Sequence, residues 1–175
     1  MPTLIKVQND HAALAADPFV FVADEDAVPA SGDIVVTLAR FQSEGDGLMA
    51  SGRRVGVRLQ PSDAVEVLAY DLPRLAVVEL VFAKFRDGRP YSAARLLRER
   101  YAYAGEVRAV GEVLREQAQF MLRCGFDAFV PADGSTPAQW LAATRRYRHV
   151  YQRAADAREP IFVERTGEAR AKAEA

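Results

Sequence analysis

Cysteine is nearly absent. The single thiol, Cys124, cannot form an internal disulfide, a zinc-finger site or the ligand set of an iron–sulfur cluster. Histidine is scarce too: His11 and His149 lie far apart, which argues against a His-rich metal site. Charge of one sign is not in excess. The 23 Lys and Arg against 24 Asp and Glu leave a net charge of −1, which argues against a general polyanion binder while leaving room for a local basic patch, and no nucleic-acid partner is expected. No apolar run approaches the ~20 residues that span a bilayer, so no membrane association is expected. The N-terminal stretch has no basic region followed by a long apolar core, which reads as no signal peptide. Low cysteine use fits a reducing compartment, and the expected location is the cytoplasm. Missing as well are the glycine-rich dinucleotide fingerprint, the phosphate-binding G-x-x-x-x-G-K-[ST] loop and the G-x-S-x-G elbow. No cofactor is expected, although a flavin needs no short motif.

What is present is an ordinary globular composition of 175 residues, half of them hydrophobic and 27% charged. That length corresponds to one domain, here expected over 1–160, with a charged tail at 161–175 that is frayed or disordered. Phe19-Val20-Phe21-Val22 reads as an edge strand, followed by the acidic loop Asp24-Glu25-Asp26. Ile34 to Leu38 and Arg54 to Leu59 read as strands, separated by a loop marked by Gly45, Gly47, Ser51 and Gly52. A helix is expected over 64–72, closed by Pro73.

From Ala76 the pattern is regular. Strands at 76–82, 107–110 and 126–130 alternate with helices at about 92–101, 112–123 and 137–157. Ser92 reads as an N-cap, and Gly125 as a helix stop. Strands alternating with helices mean βαβ units on a parallel sheet. The fold class is therefore α/β, a single domain that is Rossmann-like (doubly wound) or half-barrel-like. A complete (β/α)8 barrel needs ~200 residues or more.

The loop Lys84 to Pro90 follows a strand and precedes a helix, the position where open α/β sheets bind ligands. Lys84, Arg86, Asp87, Gly88, Arg89 and Ser92 are the candidate anion- or ligand-binding residues there. The basic side chains supply charge, and Gly88 would allow close backbone approach. Arg108 and Glu112, at the next strand-to-helix corner, would face Lys84 and Arg89 if the two corners are neighbours. Two or three charge-assisted hydrogen bonds of ~1.5–3 kcal/mol each suit a small oxyanion at millimolar to tens-of-micromolar affinity. The plain alternative is a solvated loop in which Arg86 or Arg89 pairs with Asp87 or a neighbouring carboxylate. Arg95 and Arg98 share one helix face and are the candidate partner-binding residues; the alternative is a salt-bridged outer face in which Arg95 pairs with Glu99. Cys124 falls on an apolar helix stripe and reads as a core residue. Trp140 reads as packed inward, and Arg145-Arg146-Tyr147-Arg148 as solvated or as a docking face.

The stretch Lys84-Phe85-Arg86-Asp87-Gly88-Arg89, Tyr91-Ser92, Arg95 to Arg100, Gly105 to Gln117 and Arg123-Cys124-Gly125-Phe126-Asp127-Ala128-Phe129 resembles a bacterial domain-of-unknown-function family, nine-three-four. The resemblance covers roughly 54–130. Ala83 stands where that family usually has Pro, and Glu116 where Asp is common. The family is labelled an oxidoreductase of sulfite reduction, and its members sit beside a sulfite reductase haemoprotein. The resemblance implies a role in sulfur metabolism, within assimilatory sulfate and sulfite reduction. It implies as partner the haemoprotein subunit or its electron donor, and it brings no catalytic residues. Three functions stay open: an accessory protein, a small oxidoreductase using flavin or NADPH, and a binder of a phosphate- or sulfate-bearing metabolite.

Overall fold

The computed structural model describes residues 3–8, 11–156 and 158–173, with the side chains of 8 and 168–173 left aside. Within it the strands are β1 (Leu4–Gln8), β2 (His11–Ala15), β3 (Phe19–Val22), β4 (Asp33–Thr37), β5 (Val55–Leu59), β6 (Val77–Phe82), β7 (Glu106–Gly111) and β8 (Ala128–Phe129). The helices are α1 (Leu38–Ala50), α2 (Arg89–Arg95), α3 (Ala118–Cys124), α4 (Pro137–Thr144) and α5 (Ile161–Ala173). A π-helical turn, Leu96–Arg100, continues α2.

All eight strands form one sheet in the order β2-β1-β8-β7-β6-β5-β4-β3. From β3 to β8 every neighbouring pair is parallel, and the hairpin β1–β2 closes the far side antiparallel. Because the parallel strands follow chain order without reversal, same-handed crossovers put the helices on one face. The layout is therefore a curled half-barrel, and it lacks the switch point that a doubly wound sheet would have. The curl is tight. β3 and β7 lie four strands apart, roughly 19 Å along a flat sheet, yet the Arg108 guanidinium sits 5.7 Å from the Phe19 ring.

The two faces of the sheet differ in chemistry. Toward the helices point Ile34, Val36, Val57, Leu80, Phe82, Val107 and Phe129, which build the main core. Inside the curl, Arg58, Glu79 and Arg108 stand side by side in register on β5, β6 and β7. Gly56 makes room there: a Cβ on it would lie 2.3 Å from Val77 Cγ1.

Several expectations are corrected. The N-terminal segment is a β-hairpin. The 38–50 segment, expected as part of a loop, is helix α1. Thr37 caps it by accepting from Arg40 N at 3.1 Å, and Gly45 leaves space for the Phe41 ring. The helix expected over 64–72 is only two 3₁₀ turns, Val65–Leu68 and Leu72–Arg74. The last long helix stops at Thr144. Beyond it an irregular segment leads to α5, in the stretch whose composition suggested a frayed tail.

Candidate functional site

β6 and β7 end side by side, with Phe82 opposite Gly111, so the two predicted corners are neighbours. Gly111 has φ +92°, and a Cβ there would lie 2.5 Å from the Phe82 carbonyl. Only glycine fits this approach. The turn lets Glu112 reach across: its carboxylate accepts from Phe85 N at 2.8 Å. Gln117 completes the tether, its amide nitrogen donating to the Phe85 carbonyl at 3.2 Å and to the Tyr91 hydroxyl at 2.9 Å. Burial raises the Tyr91 pKa, against the opposing pull of that Gln117 bond. Sequence reading singled out Glu112 as a ligand-site residue, whereas its carboxylate tethers the loop, and it missed Gln117, because a buried glutamine on an apolar stripe gives no signal of its own.

The cations of the loop split into two kinds. Arg89 is closed onto Asp87, with Nη2–Oδ2 at 2.6 Å and Nε–Oδ1 at 2.9 Å. The bond from Arg89 holds the Asp87 carboxyl below its usual range. Lys84 and Arg86 are exposed, and among the described residues no carboxylate pairs with either. The net positive charge of the loop therefore rests on Lys84 and Arg86.

Four placements differ from expectation. Gly88 has an ordinary φ of −86° and open space around its Cα, so no close backbone approach depends on it. Ser92 lies inside α2 and is exposed. The helix begins at Arg89-Pro90, whose ring pre-sets the backbone, so Ser92 caps nothing. Arg89 and Ser92 instead line a small cleft of about 190 Å³ toward the end of β5, with Leu59, Val65 and Leu96. Arg108 is three residues before the corner, roughly 10 Å down its strand, and it points into the curl. There its Nη1 meets Glu79 at 3.0 Å and Asp17 at 2.9 Å, and its Nε meets Glu106 at 2.7 Å. Burial opposes its charge, but Glu106, Glu79 and Asp17 outweigh that and hold its pKa above the ordinary value. Arg58 Nε reaches the same Glu79 at 2.7 Å. Arg108 is thus part of an internal ion layer and does not face Lys84 or Arg89.

The two helix cations, Arg95 and Arg98, have different surroundings. Arg98 turns inward, donating to the carbonyls of Gly125 and Gly105 and to Asp127 at 2.7 Å. It clamps α2 to the start of β8 and offers nothing to a partner. Arg95 forms an exposed pair with Glu99 at 2.9 Å. Burial raises the Cys124 thiol to about 11, against the opposing pull of Arg95 and Arg123, so it stays protonated at neutral pH. Trp140 is fully buried against Phe129, with ring centroids 4.9 Å apart.

A second feature lies next to the loop. The Tyr91 ring touches Phe120 at 4.8 Å, and Phe120 borders a groove with Tyr147 and Tyr151. Among the described residues no group of His, Cys, Asp and Glu is placed to hold a metal ion, and no helix is long and apolar enough to cross a membrane.

Fold and site together define an α/β half-barrel whose parallel-strand ends carry a tethered basic loop. The family model described as bacterial protein of unknown function, DUF934, matches residues 56–162, more than half of the chain, and the chain belongs to that family. The match takes in both the loop and the aromatic groove. No curated protein matches the sequence.

Proposed function

We propose that the chain is a cytoplasmic accessory protein of assimilatory sulfite reduction. It binds the sulfite reductase haemoprotein or its electron donor and holds a small oxyanion at the loop 84–86. The observation that carries this reading is that Lys84 and Arg86 form no salt bridge among the described residues, on a loop pinned by the Glu112 carboxylate at Phe85 N and by Gln117. Pinning means that little ordering entropy is lost when a partner or an anion engages them. Exposed, unpaired cations steer an acidic partner and raise its association rate. The choice of sulfite reduction is supported by the residue-level resemblance over 84–129.

The test is a binding titration of the chain against the haemoprotein, with sulfide formation followed in a reconstituted reductase. Binding that weakens roughly tenfold in Lys84→Glu/Arg86→Glu supports the reading. No binding and unchanged sulfide formation reject it.

A further inference from the structure

We propose that the groove between α3 and the segment after α4 is a docking site for an acidic stretch of a partner protein that carries an aromatic or aliphatic side chain. This deepens the accessory reading and rests on it for the existence of a protein partner.

The groove encloses about 460 Å³ and is bordered by Phe120, Arg146, Tyr147 and Tyr151. Its three rings are 55%, 64% and 84% exposed. On α3 the inward positions are taken by Met121 and Cys124, so Phe120 is left facing solvent. Exposed rings gathered around one depression mark an interaction surface, and Tyr, Phe and Arg are the residues enriched in protein interfaces. A surface groove with rings this exposed suits a length of chain better than an enclosed small molecule, whose sites bury most of the ligand.

Charge selects the occupant. From Pro137 to Ala155 there is no acidic residue, while Arg145, Arg146, Arg148 and Arg153 all fall there. Of the acids that follow, Asp156 pairs with Arg123 at 3.1 Å and Glu164 with His149 at 2.8 Å, while Glu159 is exposed and does not line the groove. Among the described residues no carboxylate pairs with Arg146, Arg148 or Arg153. Glu116 is the one acid on the rim.

The wall is held in place. The Tyr147 carbonyl accepts from Gln119 Nε2 at 3.0 Å and from Arg158 at 3.2 Å, and Arg158 also donates to the Arg148 carbonyl at 2.5 Å. Ile161 N donates to the Val150 carbonyl at 2.7 Å, tying the segment to the start of α5. A preformed wall keeps the cost of ordering low when a segment docks. Through Phe120, Tyr91 and Gln117 the groove is continuous with the loop at Phe85. A single partner could therefore engage both.

The experiment uses the full chain and a fluorescent peptide of about twelve residues, Glu and Asp around one Phe and one Leu, read by anisotropy as salt rises from about 50 to about 500 mM. The variants are Tyr147→Ala/Tyr151→Ala and Arg146→Glu/Arg148→Glu, all exposed positions, with folding checked by circular dichroism. The proposal predicts binding that salt weakens, a loss of roughly tenfold in either variant, and no binding of a matched Lys peptide. It is overturned by equal affinity in wild type and both variants, by absence of binding, or by equal binding of the Lys peptide. It is also overturned by displacement of the peptide with AMP at micromolar concentration, or by a wild-type dimer that the variants dissolve. The haemoprotein is titrated in parallel. Haemoprotein binding that the groove variants leave intact, with no peptide binding, rejects the groove and spares the accessory reading. Peptide binding without haemoprotein binding does the reverse.

Discussion

Arg98 and Arg108 show how little an arginine's position in sequence says about its use. By sequence Arg98 reads as a cation on an outer helix face and Arg108 as a cation at a strand-to-helix corner, and both are turned inward, one onto backbone carbonyls and Asp127, the other onto three carboxylates. Replacing Arg98 by Ala would leave those carbonyls and Asp127 Oδ2 without the Arg98 donor, while Asp127 Oδ1 keeps Val107 N. We expect a loss of about 3 kcal/mol in urea unfolding, whereas Arg95→Ala, at an exposed pair, stays within about 0.5 kcal/mol. Asp127 itself gives a pH signature. Burial raises its carboxyl to about 6 against the pull of Arg98. Its folded pKa therefore lies above the unfolded value of about 4. The stability it contributes is present below about pH 4 and is lost as pH rises through about 6. In Asp127→Asn that decline disappears from the stability–pH curve between those limits; an unchanged slope contradicts the assignment. For Cys124, whose thiol is raised to about 11, a disulfide reagent at pH 7 reacts slowly with the native chain and rapidly in urea.

Among elements, the regular half of the chain was the readable one. Strands β6 and β7 follow their apolar runs because their helix-facing residues are core, and on the other face Glu79 and Glu106 pair with Arg108 inside the curl; β8 shortens to Ala128–Phe129. Helix α1 was hidden by Gly45 and Gly47, two residues that discourage helix on propensity alone. A Thr37 cap and the burial of Phe41 and Leu48 outweigh that cost of ~1 kcal/mol per glycine. The hairpin β1–β2 was hidden because its second strand, His11-Ala-Ala-Leu-Ala, lacks β-branched residues and is held by pairing with β1. The candidate site was half legible. The strand-to-helix loops announced themselves by charge and glycine, and the local pair Arg89–Asp87 was among the readings the sequence offered, but Asp17 and Glu79, two partners of Arg108, are distant in sequence. Glycine offers a contrast within the same two corners. Gly111→Ala forces a Cβ against the Phe82 carbonyl at a left-handed φ, and it should lower the unfolding midpoint sharply. Gly88→Ala has ordinary φ and open space, and should be neutral or stabilising by about 0.4–1 kcal/mol.

For the whole molecule, the sequential strand order gathers the ends of β6 and β7, the basic loop and the aromatic groove into one continuous face. The inside of the curl, by contrast, carries the paired charges of Arg58, Glu79, Glu106, Arg108 and Asp17. With a net charge of −1 the chain carries no overall excess of positive charge, so its cationic face stands out by local contrast. We propose that this face engages the sulfite reductase system. The most direct measurement is calorimetric titration of the full chain into purified sulfite reductase haemoprotein and into its electron donor, at low and at high salt. The account predicts saturable binding to one of them, weakened by salt and by Lys84→Glu/Arg86→Glu. Absence of heat with both proteins at low salt, with the chain folded, would contradict it.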